Sequence, residues 1–289
     1  MVTRETSLFQ GLAEMGLAPS DEEIRRLAKL ADLLENDAVD LGFLGPNEGQ
    51  RVVSRHLLEA AALIPLIDDG PVVDVGSGAG LPGLVLAAFG ADVVLIDAQA
   101  KRADFLRRAS SEIGVAAEVR HARAEDEGHA DLREAAGAVV ARALAAPATA
   151  LELCLPFARP GGRFLLLASP EEDSVPPDVS DGDPTDRGDA ALSVGRAEAR
   201  ADVELASVDD LTAGTGLRDA YAPVRRDLRA AARLLGGADP RWMPLSVPGA
   251  DGPRWVMMVD KRAPTPDRFP RRPGVPKRRP LGGDVASVD

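Results

Sequence analysis

The chain has 289 residues, 45% of them apolar, and a formal net charge of −12. That is enough for one large domain or for a domain with appendages. One cysteine, Cys154, excludes an internal disulfide, no Cys/His cluster suggests zinc, and aromatics at 3% are too few for a row of base-stacking rings.

The opening MVTRETSLFQGLAEMG lacks the long apolar core of a signal peptide, and no window is an uninterrupted apolar span. A soluble, cytoplasmic protein is the expectation. Ser20 and Glu23 form a capping box, and Ile24, Leu27, Ala31 and Leu34 recur at helical spacing, predicting a helix over about 21–35. GFLGPNEG reads as a loop. A second helix is predicted from about Gln50 to Leu66, burying Val52, Val53, Leu57, Ala60 and Ile64. These segments, residues 1–69, read as a helical cap.

From Pro71 the pattern changes. PVVDVG is a short apolar run ending in glycine, as in a buried parallel strand. LPGLVLAAFG (helix), ADVVLID (strand), AQAKRADFLRRASSEIG (helix) and AAEVRHARAE (strand and exit loop) follow. GAVVARAL is a fourth strand, ALELCLPFA a helix and GGRFLLLAS a fifth strand. Regular alternation predicts an α/β fold with a parallel, doubly wound, Rossmann-like sheet over residues 70–262. PEEDSVPPDVSDGDPTDRGD is acidic and nearly free of large apolar side chains, so a flexible insertion is expected at about 170–195. PRWVMMVDK reads as a final strand. The tail, 263–289, contains DRFPRRPGVPKRRPL, the most basic stretch of an acidic chain.

The loop VVDVGSGAGLPG carries the first chemistry. Gly76, Gly78 and Gly80 lie between strand and helix, where open α/β sheets bind ligands. Asp97 ends the next strand, about twenty residues on, where a carboxylate can accept ribose hydroxyls. Dinucleotide and S-adenosylmethionine sites share these features. The spacing G-x-G-x-G, with Leu81 and then Gly83 after Gly80, favours the second. So does Asp74, which would repel a pyrophosphate but can orient an amino group and a sulfonium. No GK[ST] follows, which excludes a triphosphate loop. In HARAE, residues 121–125, Glu125 faces either an adenine ring or solvent. Neither His56 nor His121 needs a catalytic role; both read as structural.

VVDVGSGAGLPGLVLA, LIDAQAKRADFLR, ARAEDE, VVARALA, GGRFLLL and APTPDRFPRRPGVPKRRPL stand in the order found in ribosomal RNA small subunit methyltransferase G, also called glucose-inhibited division protein B. SRHLLEAAAL resembles that family's R-H-x-x-D-S-L segment. The resemblance implies a class I methyltransferase that uses S-adenosylmethionine to methylate guanine N7 in the decoding-region loop of 16S RNA. It implies 16S RNA or the 30S subunit as partner, no metal, no membrane, and a monomer. By matching motif, Asp74, Gly76, Ser77, Gly78, Gly80 and Leu81 would form the cofactor loop. Asp97 would hold the ribose, Ala124 and Glu125 would flank the adenine, and Arg142 would also be among the cofactor-binding residues. Lys101, Arg102 and Arg142 would be the catalytic basic residues. Arg123, Arg271, Arg272 and Lys277 would contact RNA.

Three departures touch the substrate half. Asp40, Leu41 and Gly42 replace the family's N-L-T. Ala168 and Ser169 stand where L-K-G supplies a lysine, for which Arg163 or a tail arginine would have to substitute. Glu59 and Ala60 replace Asp and Ser in R-H-x-x-D-S. A methyltransferase with another RNA or small-molecule acceptor, and a non-catalytic cofactor-binding paralogue, are the alternative readings.

Overall fold

The computed structural model describes residues 3–67, 70–168, 218–252 and 254–282; the acidic insertion expected at 170–195 lies outside them, as does Ser169. Helix α1 (Arg4–Glu14) starts at Thr3, whose hydroxyl accepts the Thr6 amide. Helix α2 (Asp21–Leu33) begins with the expected capping box. The Glu23 amide donates to Ser20 Oγ at 3.3 Å, and the Ser20 amide donates to Glu23 Oε2 at 2.6 Å. A π turn, Leu34–Ala38, continues it. The predicted second helix is not regular. It runs as a 3₁₀ turn (Gly49–Arg51), a π turn (Val52–Leu57), the short α3 (Leu58–Ala61) and a 3₁₀ turn (Ile64–Leu66).

The sheet contains β1 (Val72–Val75), β2 (Val93–Asp97), β3 (Ala117–His121), β4 (Ala136–Arg142), β5 (Ala158–Ala168), β6 (Arg241–Leu245) and β7 (Arg254–Asp260). Their order is β3-β2-β1-β4-β5-β7-β6. The first five strands are parallel, as the alternation predicts. The sheet is not parallel throughout: β7 runs antiparallel to both β5 and β6. Helices α4 (Gly83–Ala88), α5 (Ala100–Ile113), α6 (Ala124–Glu127) and α7 (Pro147–Cys154) are the crossovers. Helix α8 (Arg218–Leu234) and β6 have no counterpart among the predicted elements.

The two faces of the sheet are covered differently. Leu8, Leu12, Leu27, Leu34 and Leu57 of the cap share one core with Val72, Leu95, Val140 and Leu165. The opposite face buries Val73, Val139, Leu151, Phe157 and Phe164, together with Phe269 of the tail. The cap and the tail therefore clasp the sheet from opposite sides, each by burying apolar surface.

Residues 263–282 of the tail are an ordered part of the domain. Arg133 Nη1 donates to the carbonyl of Phe269 at 2.8 Å, and Arg133 Nη2 to that of Thr265 at 2.6 Å. His129 Nε2 lies 2.7 Å from the Pro270 carbonyl. The fully buried Glu152 accepts the Arg271 amide at 2.9 Å, and its guanidinium at 2.8 and 2.6 Å. The last short helix, α9 (Val275–Arg278), then lies against the start of α7, where Thr149 Oγ1 donates to the Pro276 carbonyl at 3.2 Å. Removing one partner of a buried, bidentate pair strands the other. Glu152→Ala should therefore destabilise the fold by roughly 3 kcal/mol, read as a lower urea midpoint; an unchanged midpoint would refute the anchoring role.

Candidate functional site

The carboxyl ends of β1, β2, β3 and β4, at Val75, Asp97, His121 and Arg142, lie along one edge of the sheet. Because β7 is antiparallel, its first residue, Arg254, reaches the same edge, one residue beyond the Ala168–Trp255 pair. Loop 76–83 turns back on this edge. The amides of Gly76 and Ser77 both donate to the Ile96 carbonyl, at 2.8 and 3.0 Å. Ser77 Oγ donates to the Asp74 carbonyl at 2.9 Å, and the Gly80 amide to Ser77 O at 2.7 Å. Gly78 sits at φ +56°, and a Cβ built there would meet nothing nearer than 3.7 Å. The backbone conformation demands glycine, while the space beside it stays open for a ligand's close approach.

Asp74 lies beneath the loop. It is fully buried, and its Oδ2 accepts the Gly83 amide at 2.8 Å. The fit is tight: a Cβ on Gly83 would come within 2.6 Å of Asp74 Oδ2. Asp74 Oδ1 has no hydrogen-bond partner. Burial pushes the carboxyl up to about 7; the neighbouring charge of Asp97 adds to this, and the Gly83 and Ser77 hydrogen bonds oppose it. Asp74 thus shapes the loop from below. Ser77 and Leu81 are also buried, and the Ser77 carbonyl accepts the amides of both Gly80 and Leu81.

Asp97 is only 4% exposed. Its Oδ2 accepts the Gly78 amide at 2.9 Å and its Oδ1 the Gln99 amide at 2.8 Å. Each oxygen keeps a second lone pair for a ribose hydroxyl. Arg102 closes this side, with Nη1 3.8 Å from Asp97 Oδ2 and its guanidinium 5.6 Å above the Phe43 ring. Phe43 packs edge-on against Phe105. Lys101 is exposed on the first turn of α5. At the β3 exit Ala124 is half-buried, Arg123 is exposed, and Glu125 is buried. Glu125 Oε1 accepts the Gly274 amide of the tail at 2.9 Å, so this carboxylate belongs neither to bulk solvent nor to the pocket alone.

The β4 exit meets the cap. Arg142 Nη2 lies 3.1 Å from Glu59 Oε2, and Arg254 Nε lies 3.7 Å from Glu59 Oε1. Ala143, next in the chain, has φ +49°, a strained value for a residue with a Cβ. His56 Nε2 lies 2.9 Å from Glu48 Oε2. Burial first, and then Arg142 and its neighbouring arginines, push His56 down to about 3, so it is neutral at physiological pH. Sequence reasoning singles out Glu59 only as a departure in the substrate half, with no role, and does not single out Arg254. A signal was present: His56 and Glu59 fall at i+4 and i+7 from Val52, polar residues on an apolar helical face.

Among the expected RNA contacts, Arg271 is committed to Glu152, and its role is the anchoring one above. Arg272 and Lys277 are exposed, as are Arg278 and Arg279, and none of the four side chains makes an ion pair among the described residues. Arg163 does not take the place of the absent lysine. It pairs with Ala138 of β4, five residues before Ala168, and donates to the Leu66 carbonyl, near the opposite edge of the sheet. Gly42 lies at φ +70°, which a β-branched threonine resists, so the Asp-Leu-Gly departure is built into this turn. No metal-binding group occurs among the described residues.

The buried Asp74 sets a pH dependence. Its folded value lies above its ordinary one, so the folded state holds the extra proton between about 4 and 7. Stability contributed by that proton is lost as pH rises through this window. Asp74→Asn keeps a carbonyl acceptor for Gly83. Its unfolding free energy should gain on the parent's as pH rises from about 4 to about 7; parallel stability curves from denaturant titrations would contradict this.

The rRNA small subunit methyltransferase G family model matches residues 23–174. A ribosomal RNA small subunit methyltransferase G from Pelotomaculum thermopropionicum is 30% identical over 282 residues, covering 95% of this chain and 98% of the relative. One from Mycobacterium leprae is 42% identical over 142 residues, covering 48% of this chain and 58% of the relative. Among solved structures, an rRNA methylase from Streptococcus thermophilus aligns with a TM-score of 0.38 at 17% identity, covering 71% of this chain and 95% of that one. With a full-length relative at this identity and a family match spanning cap, glycine loop and β4, the chain belongs to the rRNA small subunit methyltransferase G family.

Proposed function

We propose that this chain transfers a methyl group from S-adenosylmethionine to guanine N7 of 16S ribosomal RNA, in the cytoplasm. The observation that carries the reading is the joint position of the open backbone at Gly78, the Asp97 carboxylate and Arg142 on one sheet edge, within a chain of this family. When bound, S-adenosylmethionine supplies an electrophilic methyl on a sulfonium. Asp97 holds the ribose through its remaining lone pairs, and the backbone of Ser77 to Leu81 lies along the cofactor. Ala124 and the Glu125 backbone flank the adenine.

Guanine N7 carries an in-plane lone pair and no proton, so the reaction needs no general base. That agrees with a site whose one buried histidine stays neutral. The chain's contribution is orientation and exclusion of water, which can supply several kcal/mol. Arg102 and Lys101 lie on the first turn of α5 beside the pocket, where they meet the phosphates flanking the acceptor. The exposed cations of the tail extend this surface, because Gly274 and Pro276 seat the tail between Glu125 and Thr149 at the same edge.

The direct test is transfer of labelled methyl from S-adenosylmethionine to unmethylated 30S particles or 16S RNA, with the product mapped to N7 of guanosine. Cofactor binding without transfer to either substrate would overturn the reading. The tail's part is tested separately. Arg272→Ala combined with Lys277→Ala should weaken RNA binding and reduce the slope of log affinity against log salt by about 1 to 2; an identical slope would remove the tail from the interface.

A further inference from the structure

We propose that Glu59 and Arg142 form the pocket that reads the acceptor base, Glu59 accepting guanine N1–H and N2–H and Arg142 donating to O6. This rests on the function proposed above and names which residues make it specific for guanine.

The cluster lies at the correct level of the sheet. Val140 is in register with Asp74, so Arg142, two residues further on, stands beside the start of the glycine loop. Arg142 alternates onto the same face as Val140, the face that the cap covers. Glu59 comes down from the cap and is 2% exposed. Arg254, which opens β7, flanks its other oxygen. The base would therefore enter between the cap and the carboxyl edge, next to the loop that lies along the methyl donor.

The polar atoms here are under-used. Among the described residues, ten buried side-chain nitrogen and oxygen atoms have no hydrogen bond of good geometry, and five of them belong to this cluster: Glu48 Oε2 and His56 Nε2, which meet only as an ion contact at 2.9 Å, together with His56 Nδ1, Glu59 Oε2 and Arg142 Nη1. The 3.1 Å approach of Arg142 to Glu59 gives charge compensation without hydrogen-bond geometry. Buried polar groups are normally satisfied, and leaving them unsatisfied costs stability. Two further features mark a place shaped by function more than by folding. The residue that follows the strand, Ala143, is strained, and the cap segment that carries His56 is a π turn.

The donors and acceptors match one base. A carboxylate is acceptor-only, and guanine's N1–H and N2–H present two donors side by side. Arginine is donor-only, and O6 is the neighbouring acceptor. Insertion of the base exchanges an off-axis ion contact for three hydrogen bonds. It also leaves N7, on the far side of O6, free to attack. Adenine would point its N1 lone pair at Glu59 and has no N2 amine, so the same carboxylate rejects it.

The test uses 30S particles rebuilt with 16S RNA carrying guanosine or inosine at the position that the parent protein methylates. Inosine keeps N1–H, O6 and N7 and lacks only the N2 amine. The parent should favour guanosine in kcat/KM by about tenfold or more, the loss of one hydrogen bond to a charged group. Glu59→Gln should lower kcat/KM on guanosine and bring the guanosine-to-inosine ratio close to one, with cofactor affinity by calorimetry unchanged. An equal fall on both substrates, with the parental ratio retained, would make Glu59 a purely structural clamp and overturn the proposal. If the parent methylates neither particle, the proposed function falls first, and the pocket with it.

Discussion

The hydrogen bond from the Gly83 amide to the buried Asp74 carboxylate ties the end of β1 to the start of α4. The loop between them has little freedom left once that bond is made. Its amides turn toward Ile96, its small side chains turn inward, and Gly78 is left facing outward beside Asp97. An acidic side chain in a dry place is costly to ionise. Here the cost supports a loop that positions backbone with no side chain in the way.

The rest of the site is arranged around that loop by strand direction. Parallel neighbours deliver Asp97, Glu125 and Arg142 to one edge, and a reversed β7 delivers Arg254. The cap lies over this edge and contributes both an aromatic face, Phe43 against Arg102, and a carboxylate, Glu59 against Arg142. The two contacts differ in kind. The first is a cation resting on a ring at the crevice margin. The second is a buried pair whose hydrogen-bonding capacity is largely unspent, which is why it suits recognition better than stability.

Much of this was legible in the residues. Four of the five parallel strands follow from apolar runs, β3 (AEVRH) follows from the alternation of elements, and the loop and Asp97 follow from their spacing. What stayed hidden has physical causes. The 3.6-residue pattern over Gln50–Leu66 reports a buried face but not the register, so π and 3₁₀ turns were read as one helix. Arg271 and Arg272 are adjacent and chemically alike; only the buried Glu152, distant in sequence, makes one an anchor and leaves the other to solvent. The bond from the Gly83 amide to Asp74 is also hidden, because sequence does not reveal on which side of a turn a carboxylate falls. Helix α8 is strongly polar and β6 carries a proline, so neither announces itself by composition.

The tail's two principal ties join residues 149 and 119 positions apart, Glu125 to Gly274 and Glu152 to Arg271. Contacts of such long sequence separation close only after the strands beneath them have aligned, so the wall that the tail adds to the site is among the last parts to form. Loop-closure entropy grows only with the logarithm of length. At separations above a hundred residues, a few residues more or less between the tied positions therefore change the closing cost very little. Packing at Phe269 and the buried pair at Glu152, more than the length of chain between the tied positions, fixes where the tail sits.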